Sequence, residues 1–315
     1  MKSSIVICTK DREEDLRKAL RSIATQSILP DEVVVVDSGK DEELVNRLTI
    51  EIPPKIRFCY VRSDPGLTLQ RNIGIKNSTG DVLMFIDDDV VLEPEYVESV
   101  LTAFAQDKDG IIGAVQGRIT NAEPLSAGSR ISRAFRRSMS RLFLLSDQGK
   151  GRLKASGFPS FTYRSDEPGF VECLAGGCMS FRRSVFEKIC FDEALVGYGC
   201  WEDVDIARQL LRAGYRIYYA PSARLAHYPS SNSRSSASEV AAMRMLNHHY
   251  LYHKHSDGSI LQKTAFAWSM LGLLLMHMSK GVRKEGIGAL KGLIKVLTGR
   301  NPLVKGVSRQ SNNRA

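Results

Sequence analysis

Four consecutive valines, Val33 to Val36, flanked by Glu32 and Asp37, constrain this chain more than any other stretch. Successive side chains on a strand point to opposite faces, so an unbroken β-branched run must be buried on both sides, as in a parallel sheet. The surrounding residues supply the partners. Ser4–Cys8, Ile56–Val61, Val82–Ile86 and Ile111–Gln116 are further apolar runs of strand length. Between them, 11–26 sets Leu16, Ala19, Leu20 and Ile23 at helical spacing, and helices follow over 67–77 and 94–105. Strands alternating with helices predict an α/β fold: a three-layer sandwich around a mostly parallel central sheet.

That rhythm stops near Ser126. Up to Asp166 the chain interleaves Arg130, Arg133, Arg136, Arg137 and Arg141 with Ile131, Phe135, Met139, Leu142 and Phe143. This spacing predicts a basic amphipathic helix, followed by a glycine- and lysine-rich loop. Strands at Phe170–Cys173, Cys178–Phe181 and Tyr215–Tyr219 and a helix over Glu202–Ala213 follow. Thr264–Met278 is almost wholly apolar but shorter than the roughly 20 residues of a membrane span, so it reads as a core or interfacial helix. Over 287–297 the apolar residues again recur at helical spacing, with Lys291 and Lys295 elsewhere, although Gly286, Gly288 and Gly292 weaken a helix there. The expected layout is a main domain over 1–255, with halves at 1–120 and 167–230 around an insert at 126–166, and a helical extension over 256–315.

Chemistry concentrates where strands end. Asp87, Asp88 and Asp89 close an apolar strand, and three adjacent carboxylates repel one another unless a cation is present. Strand geometry puts Asp87 and Asp89 on one side and Asp88 on the other. Two oxygen ligands on one face suit Mg2+ or Mn2+ bridging a diphosphate. The same run can also serve as a solvated turn capping the helix after Pro94. Thr9, Asp11 and Arg12 close the first strand, and Asp37 closes the second. In an open parallel sheet these carboxyl ends bind ligands, so Asp11 or Asp37 can take a base or ribose, with Thr9 and Arg12 facing base or phosphate. Helix capping by Thr9 or Asp11 is the alternative.

The order of segments resembles the nucleotide-binding half of family 2 glycosyltransferases: Val6-Cys8-Thr9-Lys10-Asp11-Arg12, Val34-Val36-Asp37-Ser38, Gln70-Arg71-Asn72-Ile73-Gly74 and Phe85-Ile86-Asp87-Asp88-Asp89. The second half is similar as well, through Leu174-Ala175-Gly176-Gly177-Cys178-Met179-Ser180-Phe181-Arg182-Arg183, Phe191-Asp192-Glu193 and Trp201-Glu202-Asp203-Val204-Asp205. The resemblance covers residues 3 to 230 and implies a GT-A fold, a nucleotide-sugar donor, a divalent metal and inversion at the anomeric carbon. It further implies that Asp87 touches ribose or metal, that Asp89 is the main metal ligand, and that Arg71 and Asn72 line the donor site, with Asp88 beside them. Asp203 is expected as the catalytic base, with Glu202 as the alternative; both also suit a helix N-terminus.

His227 offers a third metal ligand, or a structural histidine. Ser230–Ser238 with Arg234 reads as a lid over the diphosphate or as a plain linker. Trp201 and Tyr198 are candidates to stack on an acceptor sugar, or core. Gly177, with Gly176, would let backbone approach the transferred sugar, or merely turn the chain.

Charge adds a partner. The net +9 resides almost wholly from Lys280 onward, where nine basic residues face Glu285 alone. With the arginine-rich helix, this predicts an anionic membrane surface and a glycan or lipid-linked acceptor; no nucleic-acid motif accompanies the charge. Scattered cysteines and a strand starting at once after Met1-Lys2 predict a cytoplasmic protein without a signal peptide, peripheral on the inner face of the cell membrane. The rival reading is a metal-dependent nucleotidyltransferase or phosphohydrolase, but neither accounts for Glu202-Asp203, and no phosphate-binding glycine fingerprint is present. A catalytically silent carbohydrate-binding protein would have no use for both Asp89 and Asp203.

Overall fold

The computed structural model describes residues 1–122, 130–162, 165–197, 199–230, 236–279 and 283–304. Two compact units emerge: Met1–Ala122 with Thr162–Arg234, and Glu123–Phe161 with Ser235–Ala315. The expected division at 255/256 therefore lies inside the second unit.

In chain order the first unit begins with β1 (Ser3–Thr9), α1 (Glu13–Ala24), β2 (Glu32–Asp37), α2 (Leu44–Leu48), β3 (Arg57–Arg62), α3 (Leu67–Asn77) and β4 (Val82–Asp87). It continues through β5 (Val90–Leu92), α4 (Tyr96–Ala105) and β6 (Ile112–Ile119). Next come α5 (Arg130–Leu142) and three short strands of the second unit, β7 (Asp147–Gln148), β8 (Arg152–Leu153) and β9 (Pro159–Phe161). The first unit resumes with β10 (Gly169–Val171), β11 (Cys178–Arg182), α6 (Glu202–Arg212) and β12 (Arg216–His227).

β2 is buried at every position, as its valines require. Val33 and Val35 join one apolar cluster with Ile5, Ile7, Leu16 and Leu20. Val34 and Val36 join the other, with Val6, Phe85 and Phe181. Alternate side chains thus feed the two layers on either face of one sheet. Its order is β10-β12-β6-β11-β4-β1-β2-β3, with β5 beside β12. β1 runs parallel to β2 and β4, β2 to β3, and β6 to β12. The sheet is mostly parallel yet mixed, because β11 lies antiparallel between β4 and β6. Hydrophobic patterning reports burial and not strand direction, so this reversal leaves no mark on the sequence.

The helix α3 lies close on β1. A Cβ on Gly74 would fall 2.3 Å from Val6 Cγ1. Gly74→Ala is therefore expected to destabilise by about 1–3 kcal/mol through overpacking, despite the better helix propensity of alanine. A lowered thermal midpoint checks this; an unchanged one means the helix shifts freely.

The second unit holds α5, the β7-β9-β8 sheet and three helices: α7 (Ala237–His255), α8 (Ile260–Ser279) and α9 (Arg283–Leu297). The expected glycine- and lysine-rich loop thus contains a small sheet. α7 begins with a capping box between Ser236 and Glu239. The glycines of α9 do not break it. A Cβ on Gly288 would meet the Ser238 carbonyl at 2.1 Å and one on Gly292 the Ala242 carbonyl at 2.9 Å, so they form the face that packs on α7. Among the described residues no helix is long and apolar enough to cross a membrane.

Candidate active site

Strand register brings the site together. Thr9 pairs with Asp37 across β1 and β2, and Cys8 with Asp87 across β1 and β4, so three carboxyl ends share one edge. β11 runs the other way, with Cys178 opposite Ile86, and therefore starts where β4 stops. Gly177 is delivered to Asp87 by that reversal: a Cβ there would lie 2.9 Å from Asp87 Oδ2. Gly176 backs onto Glu202 in the same way, at 2.8 Å from Oε1. Neither glycine has a positive φ, so close approach, not turn geometry, is what they supply.

β4 ends at Asp87, and Asp88 and Asp89 form a turn before β5. The chain there leaves β4 to pair with the end of β12, His227 opposite Val90. The turn keeps Asp87 and Asp89 together and sends Asp88 inward. Asp87, Asp89 and His227 each offer a ligand atom within 4.8 Å of the others, and they are the group of metal-binding type among the described residues. His227 Nε2 lies 2.9 Å from Asp89 Oδ1, and the Ser230 N–H donates to Asp89 Oδ2 at 3.0 Å. Burial works to raise the Asp89 pKa, but the His227 and Ser230 contacts outweigh it and hold the carboxyl below its usual value. Two oxygens and an imidazole suit Mn2+ or Mg2+, whose adjacent ligands stand about 3 Å apart at metal–oxygen distances near 2.1 Å, so a small closure would fit them.

Asp88 is buried, accepting from Thr9 Oγ1 at 2.7 Å and Arg12 Nη1 at 2.9 Å. Burial foremost pushes its pKa up to about 6. Thr9 and Arg12 thus sit at the cluster as its supports. Asp37 is fully buried, accepting from the Gly39 N–H, Tyr60 and Arg62. Asp11, at φ 53°, accepts from the Lys40 N–H at 2.8 Å.

Arg71 ties the two acidic groups together. Its guanidinium is buried, donates to Glu202 Oε1 at 2.6 Å and to the Gly176 carbonyl at 3.1 Å, and lies 3.6 Å from Asp87 Oδ1. Phe191, in a cluster with Phe85, Phe181 and Phe186, covers it at 5.2 Å. Burial disfavours the charge, yet Glu202 and Asp87 outweigh it and keep the guanidinium ionised. Asn72 faces away from this cluster: its amide is spent on the Phe191 backbone and on Glu193.

Glu202 and Asp203 open α6. Asp203 is half-buried. Burial first, then the neighbouring Glu202 charge, raise its pKa well above the carboxylate range. It accepts the Val204 N–H at 2.8 Å, so capping and acid–base capacity coexist. Trp201 precedes it at φ 78°, a left-handed conformation that costs a residue with a Cβ roughly 1–2 kcal/mol. Tyr198 and, of the expected lid, residues 231–235 with Arg234 lie outside the described residues.

Gln70 has a role that its sequence does not announce: its amide donates to the Thr9 and Val36 carbonyls and locks the ends of β1 and β2 together. Its place beside Arg71 was the only available signal.

Gly177→Ala is expected to displace Asp87 and raise the donor KM by about tenfold while the fold persists, a cost of about 1.4 kcal/mol. Steady-state kinetics with a circular-dichroism melt check it; an unaltered KM means that Asp87 does not touch the donor.

Comparison with known proteins bears on the fold and the family. The chain is 31% identical over 133 residues to the N-acetylglucosaminyl-diphospho-decaprenol L-rhamnosyltransferase of Mycobacterium tuberculosis, covering 42% of each. It is 25% identical over 233 residues to the O-antigen chain rhamnosyltransferase RfbN of Salmonella typhimurium, covering 72% of this chain and 66% of that one. The matched stretch spans only 37% to 42% of the length of several other curated relatives. The fold is similar to that of the mannosyltransferase PcManGT from Pyrobaculum calidifontis in complex with GDP-Man and Mn2+, with a TM-score of 0.54 and 15% identity over 100% of this chain and 80% of that one. This confirms the GT-A-like α/β architecture. Residues 4–190, more than half of the chain, match the profile of glycosyl transferase family 2, and the chain belongs to that family.

Proposed function

We propose that this protein transfers a sugar from a nucleoside-diphosphate donor to a hydroxyl of a glycan or lipid-linked glycan, with inversion, in the synthesis of a surface polysaccharide or glycolipid. The observation that carries the reading is the meeting of Asp87, Asp89 and His227 beside Arg71 and the Glu202-Asp203 pair. Asp89, Asp87 and His227 would hold Mg2+ or Mn2+. That ion, when bound, supplies Lewis-acid stabilisation of the departing diphosphate.

The protein's own groups do the rest. Asp203 takes the proton of the attacking acceptor hydroxyl. Arg71 holds Glu202 and Asp87 in place. Gly176 and Gly177 leave room at the reacting centre, since no Cβ intrudes. Trp201 offers a face for an acceptor sugar. The names of the two rhamnosyltransferases favour a hexosyl or deoxyhexosyl donor and a polymer or polyprenyl-diphosphate acceptor. A panel of nucleotide sugars with Mn2+ tests the reaction class. Nucleoside diphosphate release is expected. Nucleoside monophosphate or inorganic phosphate as the product would instead favour the nucleotidyltransferase or phosphohydrolase reading.

A further inference from the structure

The second unit exposes apolar side chains where a water-facing helix would carry polar ones. α9 packs on α7 through Gly288 and Gly292, yet Ile287, Leu290, Ile294 and Leu297 are between 46% and 76% exposed. Their spacing of three, four and three residues makes them one stripe along the helix. Lys284, Lys291 and Lys295 form a second exposed stripe on its flank. Three faces therefore divide α9: glycine and alanine inward, lysine to one side, and isoleucine and leucine outward.

α8 repeats the pattern. Trp268, Leu271, Leu275 and Met278 recur at the same spacing, and all are exposed. Its end adjoins the start of α9, with Gly286 against Met278. The indole N–H of Trp268 donates to the Leu142 carbonyl at 2.7 Å, so the exposed Leu142 of α5 borders this stripe. Across the sequences of α5, α8 and α9, Glu285 is the single acid against five arginines in α5 alone, and it lies 3.2 Å from His277.

From this surface we infer a docking face for an anionic lipid bilayer, with the apolar stripes of α8 and α9 entering the headgroup–acyl boundary and the lysines and arginines meeting acidic headgroups. Charge selects this occupant. A second copy docked face to face would set basic surfaces against each other, and a nucleic acid would leave the isoleucines and leucines in water. Among the described residues no helix is both long and apolar enough to span, so the proposed contact is one of lying on the membrane. The inference deepens the proposed lipid-linked acceptor but stands on residues remote in sequence from the carboxylate cluster.

The test is co-sedimentation of the full chain, without sugar nucleotide, on phosphatidylcholine vesicles with and without phosphatidylglycerol. Wild type is expected to bind the anionic vesicles at least about tenfold more tightly, less so as salt screens the charges. Lys291→Gln with Lys295→Gln removes two charges worth about 1 kcal/mol each, a loss of roughly thirtyfold. Leu290→Glu with Ile294→Glu is expected to abolish pelleting. Both pairs are solvent-facing, so thermal melts and donor hydrolysis in solution should stay as in wild type. Failure of wild type to pellet with anionic vesicles overturns the inference, as does normal pelleting of the Leu290→Glu/Ile294→Glu variant. So does a wild-type dimer that this variant dissociates, which would make a second copy the occupant. Donor hydrolysis reports separately on the reaction proposed above.

Discussion

Asp203→Asn lowers kcat by about 10²- to 10⁴-fold while sugar-nucleotide binding stays near wild type, because only proton removal in the transition state is lost. The isostere keeps the volume and the oxygen that accepts the Val204 N–H. Titration calorimetry for donor affinity, beside turnover with an acceptor, separates the two effects. The alternative base, Glu202, is already spent: Arg71 donates to it at 2.6 Å. A carboxylate oxygen that already accepts from a buried guanidinium is committed to that contact and is not free to face an acceptor hydroxyl. Asp203 has the opposite environment, with no guanidinium among the described residues bonded to it: burial and the neighbouring Glu202 charge raise its pKa and suit it to take a proton. The sign of the pH dependence follows. A raised pKa means that the working, deprotonated form is lost as pH falls, so kcat should climb with pH along a limb well above the ordinary carboxylate value of about 4. That limb should vanish in Asp203→Asn. Glu202→Gln should behave differently, unfolding at lower temperature because it takes the nearest counter-charge from buried Arg71 and leaves only Asp87 at 3.6 Å, at a cost of about 1–3 kcal/mol. If instead Asp203→Asn turns over normally and Glu202→Gln folds but is dead, the base is Glu202.

The strands and helices that frame this site were legible because burial writes a period into the chain. The valine run, the β4 run and the spacing in α1 each reported their element to within a few residues. What burial does not encode was missed. β5 is three residues long, too short for alternation to register. α7 is amphipathic only weakly, its inward face holding Asn247, His248 and His255 as well as Met245 and Leu251, so its period is blurred. The same limit applies to individual side chains. Period-two reasoning paired Asp87 with Asp89 and excluded Asp88, and the structure agrees on the pairing, but a turn produces it. His227 joined the cluster because β12 runs on to it, beyond the expected end at Tyr219, and pairs with β5. Asn72 sits in a donor-type segment, yet helical geometry turns it toward Phe191 and Glu193 while its neighbour Arg71 faces the carboxylates. A motif identifies a stretch of backbone; which member of it points at the ligand is decided by packing.

Asp89→Ala is expected to have the largest effect on donor binding. Asp89 meets His227 through one oxygen, the Ser230 N–H through the other, and the Tyr228 N–H through its backbone carbonyl. Only the backbone contact survives truncation, so β12 remains tethered while the carboxylate is lost. Removing groups that merely orient a metal ligand costs about 10- to 100-fold in metal affinity, and losing the ligand itself should cost at least the upper figure. Arg12 Nη1, 3.8 Å from Asp89 and 2.9 Å from Asp88, keeps its stronger partner, so the fold should hold. In wild type, the Mn2+ complex of a nucleoside diphosphate, at a hundred times its Kd, should stabilise the protein by about 2.7 kcal/mol. Asp89→Ala should show no such increase, and its donor KM should no longer respond to Mn2+ or to its chelation. His227→Ala keeps both carboxylates and should fall between the two. An Asp89→Ala protein whose melting point still rises with Mn2+ and nucleotide together would move the metal away from this cluster, and the donor assignment of Asp87 would move with it.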